Sequence, residues 1–344
     1  MRFAALLRLS PLPEGHRFPM PKDALVYDRL VEVGLAKMTF QPRLPDADTL
    51  SLVHDQAYVT SFLDGSLSDA AMRRIGLPWS ERLLRRTLIG TGSAVLAARL
   101  ALQYGVACMT NGGTHHAHAG YGSGWCIFND LAVAARAAQR DAGIRKVVFV
   151  DLDVHQGNGT ATIFASDPTV YTFSIHCEAQ TFPHKLQHSD WDIALPAGTT
   201  NEGYLKVLSD TLPMLLQQER PDLVLYNAGV DVHKDDSLGK MALTDAGILA
   251  RDRMVFSCCA DFQVPVACAI GGGYAPDHQA IVERHVQLHR AAWEWQPHLQ
   301  QAVVNKQLAA HPETDNYQQA DTSFGTACAA LLVLSQPARP VWHG

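Results

Sequence analysis

Apolar runs of strand length alternate along this chain with longer segments of helical periodicity. The predicted strands span 145–153, 169–175, 222–229 and 264–272. The predicted helices span 80–104, 129–143, about 203–220 and about 244–262. Ser80 and Asn129 are suitable N-caps, and Gly143 is a suitable helix stop. Because the strands are apolar throughout and separated by helices, we expect a single α/β domain of three layers, with helices on both faces of a mainly parallel sheet.

Polar, loop-forming segments follow the predicted strands. They span 151–159, 174–183, 231–236 and 271–277. Ligands of parallel sheets bind beyond the carboxyl ends of the strands, so we expect these segments to converge on one rim. Each segment taken singly is as consistent with an ordinary connection, because Gly, Asn and Asp are common turn residues.

The densest chemistry lies at the end of the first predicted strand, where Asp151, Asp153 and His155 stand two residues apart. The period of a strand points these three side chains the same way. Converging carboxylates repel each other and are costly to desolvate, so the cluster predicts a divalent cation. Asp153, His155 and Asp231, which ends another strand, offer the three-ligand pattern of a catalytic zinc site with an open position.

Three further residues are candidates for catalysis. His115 and His116, in a Gly-rich loop, are suited to act on a bound water and on a leaving group. Tyr274, after three glycines, is suited to stabilise an oxyanion. Each has a plainer alternative: the histidines in a solvated loop, Asp151 as a backbone cap, and Tyr274 as a half-buried core aromatic.

Composition narrows the function classes. The chain has 344 residues, of which 47% are hydrophobic, and a formal net charge of −6, which argues against binding to nucleic acid or anionic membranes. Its seven cysteines have no CxxC spacing, which predicts buried free thiols rather than a disulfide framework. No stretch approaches the roughly 20 apolar residues of a membrane span, and the N-terminal apolar run is short for a signal peptide. We expect a cytoplasmic protein.

Six motifs, in order, carry a family resemblance: NGGTHHA, GSGWCIFND, VDLDVHQGNGT, FSIH, NAGVD and GGGY. Over roughly residues 10–290 the chain resembles the zinc-dependent histone deacetylase family, which has the arginase-deacetylase fold. GHRFPMPKDALV (15–26) and the QGNG form resemble the class IV branch and its bacterial relatives. The resemblance implies one catalytic zinc ion and a structural potassium ion.

The resemblance also implies residue roles. Zinc would be bound by Asp153, His155 and Asp231. Potassium would be bound by Asp151, Asp153, His155, Ser174 and Ile175. An acyl-lysine tunnel would be lined by Gly124, Trp125, Phe182 and Gly272. His116 would act as base and then acid, His115 would be oriented by Asp151, and Tyr274 would donate to the scissile carbonyl. Asn158 stands where many relatives have an Asp, and Trp125 where Phe is more usual.

The implied function is removal of acetyl or longer acyl groups from lysine side chains of peptides or proteins. One alternative is hydrolysis of an acylpolyamine or other acylated small amine. The acidic residues that we would examine for that substrate are Glu14, Asp23, Asp235 and Asp236. An arginase-type ureohydrolase is a weaker alternative, because a two-metal site needs more aspartates. A further alternative is a non-catalytic acyl-lysine-binding module.

Two regions lie outside the motifs. We expect a catalytic domain over 1–296 and a C-terminal extension over 297–344. Within the extension, the apolar segment 327–334 is expected to pack on the body or on a second subunit, so a homo-oligomer is left open. The segment 64–79 is expected to form a rim loop near the tunnel.

Overall fold

A parallel sheet forms the centre of the protein. The computed structural model describes residues 12–13, 15–310 and 330–331. Seven strands in this part of the chain are ordered β4-β3-β2-β5-β6-β1-β7, and all pair in parallel. They are β1 Val106–Cys108, β2 Val147–Asp151, β3 Val170–Cys177, β4 Trp191–Leu195, β5 Leu223–Asn227, β6 Val266–Ala269 and β7 Ala330–Leu331. The four predicted strands correspond to β2, β3, β5 and β6.

Helices cover both faces of the sheet. They are α1 Lys22–Glu32, α2 Ala47–Leu50, α3 Gln56–Leu63, α4 Asp69–Ile75, α5 Glu81–Tyr104, α6 Asp130–Ala142, α7 Asn158–Ile163, α8 Asn201–Glu219, α9 Asp245–Asp261 and α10 His278–Ala310. Alternate residues of β2 enter opposite cores: Val148 and Val150 pack with α8, α9 and α10, whereas Val147 and Phe149 pack with α5 and α6. This division confirms the predicted three-layer architecture.

Local capping explains where the predicted helices begin and end. The side chain of Ser80 accepts a hydrogen bond from Leu83 N, and that of Asn129 accepts one from Ala132 N. Gly143 ends α6 in the left-handed region, at φ 65°. The expectation of a loop over 64–79 was wrong in part, because α4 lies within this segment, between a Ser68 cap and a left-handed Gly76.

The cysteines and the C-terminal region bear on two further expectations. Six cysteines in the described ranges are free and buried, and Cys328 lies outside those ranges. Helix α10 crosses position 297 without a break, and β7 pairs with β1. Most of the expected extension lies outside the described residues, so its boundary stays a prediction. Among the described helices, none combines the length and hydropathy needed to cross a bilayer.

A buried histidine on α10 makes stability depend on pH. Burial lowers the pKa of His289 from 6.5 to about 3. The unfolded chain therefore binds the extra proton as the pH falls from 6.5 towards 3, and the free energy of unfolding decreases over that window. We predict that His289→Leu removes up to about 1.4 kcal/mol of this loss per pH unit. Urea unfolding at about pH 7, 6 and 5 measures the slope. His188→Leu, at an exposed position, is the control and should keep the wild-type slope; a wild-type slope in His289→Leu would contradict the prediction.

Candidate functional site

The site begins at the carboxyl end of β2, but strand alternation does not set the direction of its side chains. Strand β2 ends at Asp151, so Asp153 and His155 lie in the loop that follows, and the expected two-residue period does not reach them. Their direction is set by successive hydrogen bonds: Asp153 N donates to Asp151 Oδ1 at 3.2 Å, and His155 N donates to Asp153 Oδ1 at 3.1 Å. The other oxygen of Asp151 accepts from His115, and Asp151 is not part of the cluster that Asp153 and His155 form with Asp231.

Asp153, His155 and Asp231 form a buried cluster. One ligand atom from each lies within 4.8 Å of the others. His155 Nδ1 is 3.1 Å from Asp153 Oδ1 and 3.1 Å from Asp231 Oδ2. The second oxygen of each carboxylate is fixed by backbone, because Gly272 N donates to Asp153 Oδ2 and Val154 N donates to Asp231 Oδ1. Two oxygens and one nitrogen thus converge from the loops after β2 and β5.

The electrostatics of the cluster fit a metal ion. Burial and the negative charge of Asp153 raise the pKa of Asp231 to about 7. Burial by itself lowers the pKa of His155, but hydrogen bonds to the two carboxylates outweigh it and raise the pKa to about 10. The carboxylates thus hold a proton on the imidazole between them. A divalent cation would compensate both negative charges and take His155 Nδ1 as a ligand, so these side chains are suited to hold one.

Two glycines leave room for this cluster. A Cβ at Gly272 would lie 2.1 Å from Asp231 Oδ2 and 2.8 Å from Asp153 Oδ2. A Cβ at Gly229 would lie 2.3 Å from Asp153 Oδ2. Any side chain at either position would displace a carboxylate, so the glycines are required by the close approach of the loops.

Beside the cluster, His115 is held as a charged group. Its Nδ1 donates to Asp151 Oδ2 at 2.7 Å, and Asn227 Nδ2 donates to Asp151 Oδ1 at 3.0 Å. Burial lowers the pKa of His115, whereas the negative charges of Asp151 and Asp153 raise it more, giving a pKa of about 9. The imidazole is therefore protonated at neutral pH.

The neighbouring His116 is held neutral. The two histidine rings are 4.1 Å apart, and His116 Nδ1 donates to Asn158 Oδ1 at 2.8 Å. Burial and the positive charges of His115 and His155 lower the pKa of His116 well below 6.5. The Asn158 amide opposes this shift only weakly. Two adjacent imidazoles thus have opposite protonation states, the arrangement of an acid–base pair.

Four residues, Gly124, Trp125, Phe182 and Tyr274, lie around the rings of His116 and His155, and we call the space between them the site opening. The Phe182 ring lies edge-on to His116 at 4.7 Å, and a Cβ at Gly124 would lie 2.5 Å from that ring. The Trp125 ring lies 5.3 Å from the Tyr274 ring on the other wall. Burial and the negative charges of Asp153 and Asp231 raise the pKa of Tyr274 well above 10, so its hydroxyl remains a donor.

Two further predicted residues lie on the strand next to β2. Ser174 and Ile175 are on β3, where Ser174 pairs in register with Asp151 and its Oγ lies 3.0 Å from His176 Nδ1.

Sequence reasoning missed several residues that support the site. Asn227 holds Asp151 and stands in the NAGVD motif, so the motif was a usable signal. Lys22 is buried, donates to Gly271 O at 2.7 Å, and lines a cavity of about 70 Å³ that His115 and His116 also line. Lys22 belongs to the segment 15–26, which served in the sequence only to indicate the family branch.

Comparison with known proteins identifies the family. The histone deacetylase domain model matches residues 16–289. The chain belongs to the histone deacetylase family. An uncharacterized protein of Picosynechococcus sp. is 52% identical over 286 residues, covering 83% of this chain and 95% of that protein. Histone deacetylase 2 of Arabidopsis thaliana is 32% identical over 278 residues, covering 78% and 72%.

A solved structure supports the fold. The crystal structure of the HDA15 HD domain matches with a TM-score of 0.69 at 22% identity, covering 89% of this chain and 93% of that one. These comparisons confirm the family and the predicted arginase-deacetylase fold, whereas the class IV branch stays a prediction. Membership of the family supports a hydrolase of the deacetylase type.

The close approach of Gly272 to the two carboxylates gives a test of the cluster. Gly272→Ala should lower the affinity for Zn²⁺ by about 10- to 100-fold, because the new Cβ displaces Asp231. Chelator competition measures the affinity, and far-UV circular dichroism verifies that the variant is folded. Gly203→Ala on α8, where the nearest atom would be 3.5 Å away, is the matched control. A folded Gly272→Ala protein with unchanged affinity would show that these carboxylates do not bind the ion.

Proposed function

We propose that this chain is a zinc-dependent amidohydrolase that removes acetyl or longer acyl groups from lysine side chains. The observation that carries the proposal is the buried Asp153, His155 and Asp231 cluster beside two histidines of opposite protonation. These three side chains would hold zinc. A zinc ion there supplies a Lewis acid and an acidified water molecule. Amide hydrolysis needs both, together with a proton for the leaving amine.

Side chains of the protein supply the remaining chemistry. Neutral His116 has Nε2 free, because Nδ1 donates to Asn158, so it accepts a proton from the attacking water and returns it to the amine. His115, protonated through Asp151, adds positive charge next to the developing oxyanion. Tyr274 donates its hydroxyl to the acyl oxygen. The three side chains together supply a base, an acid and an electrostatic clamp.

The site opening suits a lysine that has lost its charge by acylation. Aromatic rings of Phe182 and Trp125 on its walls favour methylene groups, whereas a free ammonium would be costly to desolvate there. We also retain, as proposals, the potassium site formed by Asp151, Asp153, His155, Ser174 and Ile175, and a cytoplasmic location.

The acidic residues considered for a polyamine substrate have other partners. Asp23 is buried and bonded to Arg86, and Asp235 lies against Arg284. Asp236 accepts a hydrogen bond from Tyr274 N. Glu14 lies outside the described residues. Because these carboxylates have partners within the protein, an acyl-lysine substrate is favoured over an acylpolyamine. The acylpolyamine stays the second candidate.

A substrate panel tests the proposal. Zinc-loaded protein should hydrolyse acetyl-, longer-acyl- or trifluoroacetyl-lysine peptides faster than acetylated polyamines, chelator should abolish the activity, and added Zn²⁺ should restore it. Release of the free amine is the measurement. Preference for polyamines would select the second candidate. Absence of hydrolysis across the panel, with acyl-lysine peptides still bound, would instead indicate a non-catalytic binding module.

The Asn158 amide predicts an unusual pH profile. A carboxylate at this position would stabilise the His116 imidazolium more than the amide does, so Asn158→Asp should raise the pKa of His116. Because the base must be neutral, the acidic limb of the kcat/KM profile should move upward by about one pH unit. Asn305→Asp, exposed near the end of α10, is the control. Superimposable profiles for Asn158→Asp and wild type would refute this role of Asn158.

A further inference from the structure

A second groove adjoins the site opening and has a different character. It encloses about 460 Å³ and shares Phe182 with the opening and Asn158 with the catalytic histidines. The side chains that give it charge are Arg73, Arg74 and Lys185, with the imidazoles of His118 and His184. None of the described residues that line it is Asp or Glu. We call this concavity the basic groove.

One wall of the basic groove is pre-organised. Arg74 Nε donates to Gly122 O at 3.2 Å, and the guanidinium lies 4.3 Å from the centre of the Tyr121 ring. Tyr121 in turn stacks on His118 at 4.4 Å. The guanidinium is therefore held between a backbone acceptor and an aromatic face, which lowers the entropy cost of binding an anion.

The other two cations are available to a ligand. Arg73 and Lys185 are exposed, and neither forms an ion pair with a residue in the described part of the chain. Arg73 lies on α4 and Lys185 lies in the segment after Phe182, so the two reach the groove from different parts of the chain. Three positive charges around one concavity, on a chain of net charge −6, form a local field that attracts carboxylates and repels amines.

We propose that the basic groove binds a Glu or Asp that flanks the acyl-lysine, and so selects acidic protein segments as substrates. The inference rests on the proposed function and narrows its substrate class. The site opening and the basic groove meet at Phe182, because its ring forms a wall of the opening and also lines the groove. A peptide whose lysine enters the opening therefore passes the three cations. A polyamine would meet the same charges unfavourably.

Three acetyl-lysine peptides that differ only in flanking residues test this inference. With Glu, Ala or Lys beside the acetyl-lysine, kcat/KM should fall in that order, by about tenfold from Glu to Lys at low ionic strength. The preference should shrink in roughly 0.5 M salt, because exposed charges are screened. Arg73→Glu and Lys185→Glu should each reduce the Glu-to-Lys ratio several-fold. Arg145→Glu, exposed just before β2 at the amino end of the strands and so at the opposite end from the site, should keep the wild-type ratio.

Binding separates failure of this inference from failure of the proposed function. Fluorescence anisotropy of the same peptides reports charge preference without hydrolysis. Tighter binding of the Glu peptide, lost in Arg73→Glu, would support the groove even if no peptide is cleaved. Equal binding and equal turnover of the three peptides would overturn the inference. So would a short oligonucleotide that competes at the groove while peptide charge has no effect.

Discussion

Two carboxylates from different strand ends, Asp153 and Asp231, are buried against each other, and the rim of the sheet is organised around the charge they create. Burial deprives both of water, and burial together with the negative charge of Asp153 raises the pKa of Asp231 to about 7. Such a pair persists only with positive charge beside it. Without a metal ion, the protonated His155 provides this positive charge. A divalent cation would provide more of it. The fold supports the pair by omitting side chains at Gly229 and Gly272.

Buried Arg251 and Lys22 hold the loops that carry or contact these carboxylates. Arg251 is fully buried, and its Nη1 donates to Gly229 O at 2.6 Å and to Leu152 O at 3.2 Å. Lys22 donates to Gly271 O at 2.7 Å. Leu152 precedes Asp153, Gly229 itself lies against Asp153, and Gly271 precedes Gly272, whose N donates to Asp153. Carbonyls that turn into the protein need donors, and long cationic side chains reach them. The ligand loops are thus positioned by contacts independent of any bound ion.

The sequence predicted the features that depend on local pattern. Caps at Ser80 and Asn129 and the apolar strands β2, β3, β5 and β6 follow from nearby residues, as does the convergence of polar strand ends. Strand β1 is three residues long, and β4 is mostly half-buried, so neither has the apolar length of a predicted strand. The direction of Asp153 and His155 depends on loop hydrogen bonds beyond β2. Arg251 lies in a predicted helix, where nothing in the pattern marks a buried cation.

The site opening and the basic groove are coupled through α4. Trp125 has φ 64°, a costly conformation for a bulky side chain, and is held by donation from its N to Ile75 O at 2.7 Å. Ile75 is the last residue of α4, and Arg73 and Arg74 lie in the same turn. A movement of α4 would therefore shift an aromatic wall of the opening and two charges of the groove together. Because the catalytic residues come from other elements, substrate selection at this rim can change while the hydrolytic centre stays fixed.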